Sequence, residues 1–132
     1  MEEKYNSDPN PKKLVKDYED QVRNGMLDFF PAEHFEIIID YYTSKNRLED
    51  AIEANTIAIE RYPFSTELKF SKAQILSNLG KYDEALELLD SALIFQPNDE
   101  EILLVKGSIL SMMGKHKLAI AEYERALEFS ES

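Results

Sequence analysis

The sequence predicts an all-α protein built from stacked helix pairs. Two observations carry this: residues recur at a fixed spacing of 34, and within each period apolar side chains fall at helical intervals. Gly80 returns as Gly114. Ala51, Ala85 and Ala119 form one column, and Ala58, Ala92 and Ala126 form another. Pro63 and Pro97 stand one period apart. Four independent position classes share one spacing, which chance rarely gives.

Taken in order, residues 1–10 are polar, contain Pro9, and read as a disordered segment. From Pro11 to Asn24, Leu14, Val15, Tyr18 and Val22 fall at helical spacing, and Asn24-Gly25 is a stop signal. This predicts one helix capping the first repeat. Met26, Leu27, Phe29 and Phe30 then make an apolar connection ended by Pro31, so that 11–31 forms one segment. Three copies follow, over 32–65, 66–99 and 100–132.

The second copy shows the pattern most fully. Leu68, Ala73, Ile75, Leu76 and Leu79 lead to Gly80; Ala85, Leu86, Leu88, Leu89, Ala92 and Leu93 lead to Pro97. Gly80 and Gly114 suit the position after a helix, where a left-handed backbone is cheap only without a β-carbon. Asn46 stands there in the first copy, and asparagine is the next most tolerant residue. Proline ends the second helices because it has no N–H to donate. The alanine columns point to close helix crossings, where small side chains let two backbones approach.

This pattern resembles the tetratricopeptide repeat (TPR) over about three quarters of the chain. The family's marks are matched by Ala73 and Gly107 at repeat position 8, Gly80 and Gly114 at 15, and Tyr82 at 17. Both alanine columns are complete, and Pro63 and Pro97 fill position 32. Ile39 is bulky for position 8, His116 replaces the packing aromatic of position 17, and Glu131 replaces a proline. Asn55 shares a column with Leu89 and Tyr123, which predicts looser packing in the first pair. The resemblance implies a right-handed superhelical stack of antiparallel helix pairs. Because solenoid ends need capping, we expect a longer bacterial-type array, or self-association through the uncapped C-terminal end.

Composition excludes several functions. The net charge of −11 and a pI near 4.6 repel phosphate backbones and anionic membrane surfaces, so neither nucleic acid nor membrane is expected as a partner. Without cysteine there is no disulfide, thiolate metal site or cysteine nucleophile. No basic stretch followed by an apolar run opens the chain, so it reads as cytoplasmic.

The chemistry-bearing motifs dissolve into the repeat. Gly80-Lys81 lacks the upstream glycine and following hydroxyl of a phosphate loop, and recurs in phase as Gly114-Lys115. His34 and His116 have no second histidine at helical spacing. Glu49-Asp50 and Asp83-Glu84 sit where the first turn of a helix favours acids. No nucleophile, metal or cofactor constellation is visible, which predicts a non-enzyme.

The resemblance implies that first helices line a concave, peptide-binding groove. The matching positions are Glu36, Asp40 and Thr43 in the first copy, Phe70, Gln74, Ser77 and Asn78 in the second, and Leu104, Ser108 and Met112 in the third. Acids at one end and Phe70 with Leu104 in the middle suit a protein or peptide partner carrying basic residues and an apolar anchor. A chaperone carboxylate clamp is not expected, since Glu36, Asp40, Ser71, Glu101 and Val105 stand where the resemblance would place that site's lysine, asparagine and arginine. The expected function is a non-catalytic protein–protein interaction scaffold. The alternative is a structural segment of a longer array with no peptide ligand of its own.

Overall fold

The computed structural model describes residues 9–27 and 30–130. Expectations for Met1–Asp8, for Phe29 and for Glu131 lie outside that range. The helices are α1 (Pro11–Arg23), α2 (Ala32–Ser44), α3 (Leu48–Arg61), α4 (Thr66–Asn78), α5 (Tyr82–Phe95), α6 (Glu100–Met112) and α7 (His116–Ser130), and no strand occurs among the described residues. They fall into two compact units, Met1–Ala58 and Ile59–Ser132, with the division inside α3.

Local chemistry explains where the helices begin and end. Asn10, Ser65 and Asp99 cap α1, α4 and α6, each side chain accepting a hydrogen bond from the backbone N–H three residues on. The turn between paired helices is the same in all three repeats. Asn46, Gly80 and Gly114 adopt φ of 58°, 77° and 80°. The next N–H reaches back five residues, from Arg47 to Tyr42, Lys81 to Leu76 and Lys115 to Leu110, at 2.8, 2.8 and 2.9 Å. That bond gives a partner from beyond the turn to a carbonyl in the last part of the helix.

In the first unit α1 packs on α2. Tyr18, Phe30 and Phe35 meet edge to face, with centroids 5.8–6.2 Å apart. The Tyr42 hydroxyl donates to Glu19 across the two helices. Arg47 pairs with Glu19 at 3.5 Å and Asp50 at 2.9 Å and lies over the Tyr42 ring. Burial pushes Tyr42 well above the ordinary tyrosine pKa, and the bond to Glu19 adds to the shift.

In the second unit α4 packs on α5, α6 on α7, and α6 also meets α4 and α5. Leu68, Ala73, Ala85, Leu89, Ala92 and Leu103 are fully buried, and Ala119 and Ala126 nearly so. Lys106 on α6 ties three helices together, pairing with Asp90 on α5 at 2.8 Å and Glu122 on α7 at 3.5 Å. Burial alone would lower the Lys106 pKa, but the two carboxylates outweigh it and leave it raised.

One expectation changes. His116 does not pack as a substitute aromatic: it opens α7 and is exposed. Asn55 is completely buried, on the same helix as buried Ala51, Ala54 and Ala58. Met26 in the apolar connection is exposed, whereas Phe30 joins the core.

Candidate functional site

The groove positions of the second and third repeats all lie on α4 and α6, two packed helices of one unit. Their spacing explains the exposure. Phe70, Gln74, Ser77 and Asn78 follow one stripe of α4, opposite the face that buries Leu68, Ile75 and Leu76. Gln74 and Asn78 are exposed, while Phe70 and Ser77 are half-buried. On α6, Ser108 is exposed, and so are two apolar side chains, Leu104 at 42% and Met112 at 61%. An apolar side chain left in water opposite a buried face is a surface available for contact.

At the N-terminal ends of these helices lies a pocket of about 150 Å³, lined by Thr66, Glu67, Phe70, Gln96, Asp99, Glu101 and Ile102. Three carboxylate residues and one aromatic are among its lining. Asp99 is partly committed, because it caps α6 through the Ile102 N–H at 3.0 Å. Glu67 accepts from the Ser65 and Thr66 hydroxyls at 3.4 Å. The arrangement is chemically suited to a cation carried on an apolar stem, through charge and through the face of Phe70.

Glu36, Asp40 and Thr43 lie on α2, in the first unit. Asp40 is exposed, yet partial desolvation of its carboxylate raises its pKa above the ordinary value. Thr43 is exposed, and its hydroxyl donates to the Ile39 carbonyl one turn back on the same helix at 2.8 Å. The first unit also contains a feature that sequence reasoning missed. A pocket of about 470 Å³ is lined by Lys12, Lys13, Lys16, Arg47, Tyr41, Asn10, Val15 and Glu19, a basic spot in an acidic chain. In the sequence its signal is the run P-K-K-L-V-K, where Leu14, Val15, Tyr18 and Val22 at helical spacing mark a packed helix and not a basic site. Among the described residues no group of histidines and carboxylates is arranged to hold a metal ion, and no helix is long and apolar enough to cross a membrane.

The tetratricopeptide repeat family model matches residues 38–100 and 70–132, together well over half the chain. The chain belongs to the tetratricopeptide repeat family. A comparison with curated proteins finds no match. Among solved structures, it is similar to MamA MSR-1 (C2), with a TM-score of 0.76 at 21% identity, covering 92% of this chain and 66% of that one. It is also similar to MamA AMB-1 (P212121), with a TM-score of 0.75 at 20% identity, covering 92% and 63%. A third MamA structure gives a TM-score of 0.75 at 19% identity, covering 92% and 79%. At such identities the likeness is one of fold. The chain spans about two thirds of the length of the first two structures. The TPR fold makes protein partners the general expectation for this chain.

Proposed function

We propose that this TPR chain is a non-catalytic interaction scaffold that binds a peptide or protein segment along α4 and α6. The observation that carries this reading is the pocket in which Phe70 stands among Glu67, Asp99 and Glu101. Beyond it the stripe continues through Gln74 and Asn78 on α4 and Leu104 and Met112 on α6. The partner segment carries a lysine or arginine for the pocket and an apolar side chain for Leu104 and Met112. Gln74, Asn78 and Ser108 supply hydrogen bonds to its backbone. Attraction between the acids and a basic segment accelerates encounter more than it deepens affinity, so binding weakens as salt rises.

A library of basic peptides with one apolar anchor, titrated by fluorescence anisotropy, tests the reading. Phe70→Ala and Glu101→Lys each weaken the best binder about tenfold or more if the pocket is used. Retention of wild-type affinity in both variants rejects this face. Asp40→Lys, on α2, serves as a separate probe of the first unit.

A further inference from the structure

Helix α7 presents an apolar stripe whose counterpart one repeat earlier is covered. Ile120, Tyr123 and Leu127 recur at helical spacing and are 53%, 37% and 60% exposed. Their equivalents 34 residues back are Leu86, Leu89 and Leu93 on α5. There Leu89 is fully buried and the other two are partly covered, in a helix that packs on α4 of its own repeat and on α6 of the next. The repeat thus shows what such a stripe accepts: another helix laid along it.

The charges around the stripe say which helix. The chain carries −11 overall, a balance that opposes bringing two copies together. Yet α7 with the residue before it holds Lys115, Lys117 and Arg125 against Glu122, Glu124 and Glu128, three cations to three acids. Glu122 is turned inward to Lys106. Of the remaining charges Lys115 and Lys117 stand at the start of the helix and Glu124 and Glu128 toward its end, where Arg125 is turned to the Pro97 carbonyl at 3.0 Å. Lys117, Glu124 and Glu128 share one flank of the stripe. Two such helices placed antiparallel about a two-fold axis bring the basic end of each to the acidic end of the other. Placed parallel, they oppose like charges.

We propose that a second copy of this chain docks on the Ile120–Tyr123–Leu127 stripe, α7 against α7 and antiparallel, forming a two-fold dimer. The interface is independent of the peptide-binding reading of α4 and α6, so either can fail without the other.

Sedimentation velocity and light scattering on the 132-residue chain, from micromolar to near-millimolar concentration, provide the test. Wild type moves from the 15.3 kDa monomer toward twice that mass as concentration rises. Ile120→Glu with Leu127→Glu stays monomeric, with helical circular dichroism and melting unchanged because both side chains are exposed in the single chain. Lys117→Glu alone, and Glu124→Lys with Glu128→Lys, each weaken association about tenfold, and mixing the two charge-reversed proteins restores it. A wild-type chain monomeric throughout the range overturns the proposal. So does a double-glutamate variant that dimerises as well as wild type. Charge-reversed proteins that fail to recover on mixing overturn the antiparallel arrangement.

Discussion

The Tyr123 ring lies over Gly107 so closely that a β-carbon there would stand 2.7 Å from Cε1 and 2.9 Å from Cδ1. Gly107 occupies the repeat position held by Ala73 on α4, and Tyr123 the position held by Leu89 on α5. The smaller residue stands with the larger partner. Glycine in the middle of α6 costs about 1 kcal/mol of helix propensity relative to alanine, and the room it leaves is filled by the ring.

The first prediction follows from that exchange of volume. Gly107→Ala gains helix propensity but pushes the Tyr123 ring out of its seat, an overpacking cost of about 1–3 kcal/mol. The net effect is destabilising. Adding Tyr123→Leu recreates the Ala73 and Leu89 combination and recovers the loss, with a coupling of about 1 kcal/mol in a double-mutant cycle. Denaturant melts of the four proteins give the answer. Additive single effects would show that the two positions do not share one volume.

The alanine columns make the second prediction. Ala85 has no exposed surface, in a helix packed against α4 and α6. Ala85→Leu inserts three carbons where backbones approach closely, and lowers stability by about 1–3 kcal/mol. Ala121→Leu, at an exposed site on α7, is the control and changes stability little. Equal midpoints for both variants would remove the crossing as the reason for the alanines.

How far the sequence was legible depends on what each residue answers to. Gly80, Gly114 and Asn46 answer to their own backbone angle, and the alanine columns answer to a period, so both could be read directly. The surroundings of His116 could not. His116 stands in an aromatic column, but at the exposed opening of α7 nothing requires a ring. The exposure of Gln74 and Asn78 on α4 and of Leu104, Ser108 and Met112 on α6 follows the helical period, which fixes which side chains face away from the core, whereas their place in a groove is only what the resemblance implies. The acidic pocket was only half legible, since Gln96 and Asp99 reach it from the segment between helices rather than from a groove position. The basic pocket beside α1 escaped because it joins residues from two helices and a turn.

The repeated turn gives a third prediction. A β-carbon at Gly80 or Gly114 meets nothing within 4 Å, so only backbone strain opposes a side chain there. Gly80→Ala therefore costs about 1–2 kcal/mol, the ordinary penalty of a left-handed alanine. Asn46 holds the same conformation at φ 58° with a milder penalty. Asn46→Gly raises the melting temperature slightly, and Asn46→Ala lowers it. Opposite signs for the two Asn46 variants in thermal melts are the discriminating result, because a side-chain contact made by Asn46 would make both destabilising.

The last prediction concerns alkaline pH. Tyr18 is almost fully buried, and its hydroxyl has no hydrogen-bond partner among the described residues. Burial raises its pKa from 10.0 to about 12, with Glu53, Asp50 and Glu19 adding to the shift. Folding therefore favours the neutral phenol. The stability held by that preference is complete below the unfolded pKa of about 10 and is lost as pH rises from there through about 12. Tyr42 is raised by the same cause, so the two tyrosines sensitise the first unit in the same direction. Tyr18→Phe removes one of them together with its unpartnered hydroxyl. At pH 7 the variant matches wild type or exceeds it by up to about 1 kcal/mol, since a buried donor without an acceptor contributes nothing favourable. Between pH 10 and 12 the advantage widens, because wild type keeps losing the Tyr18 contribution and the variant does not. Tyr42→Phe, by contrast, forfeits the bond to Glu19 and is weaker at pH 7 by about 1 kcal/mol. Melts of the three proteins at pH 7, 9 and 11 separate these outcomes, and a Tyr18→Phe variant that falls with alkali as steeply as wild type would show that Tyr18 does not titrate with unfolding.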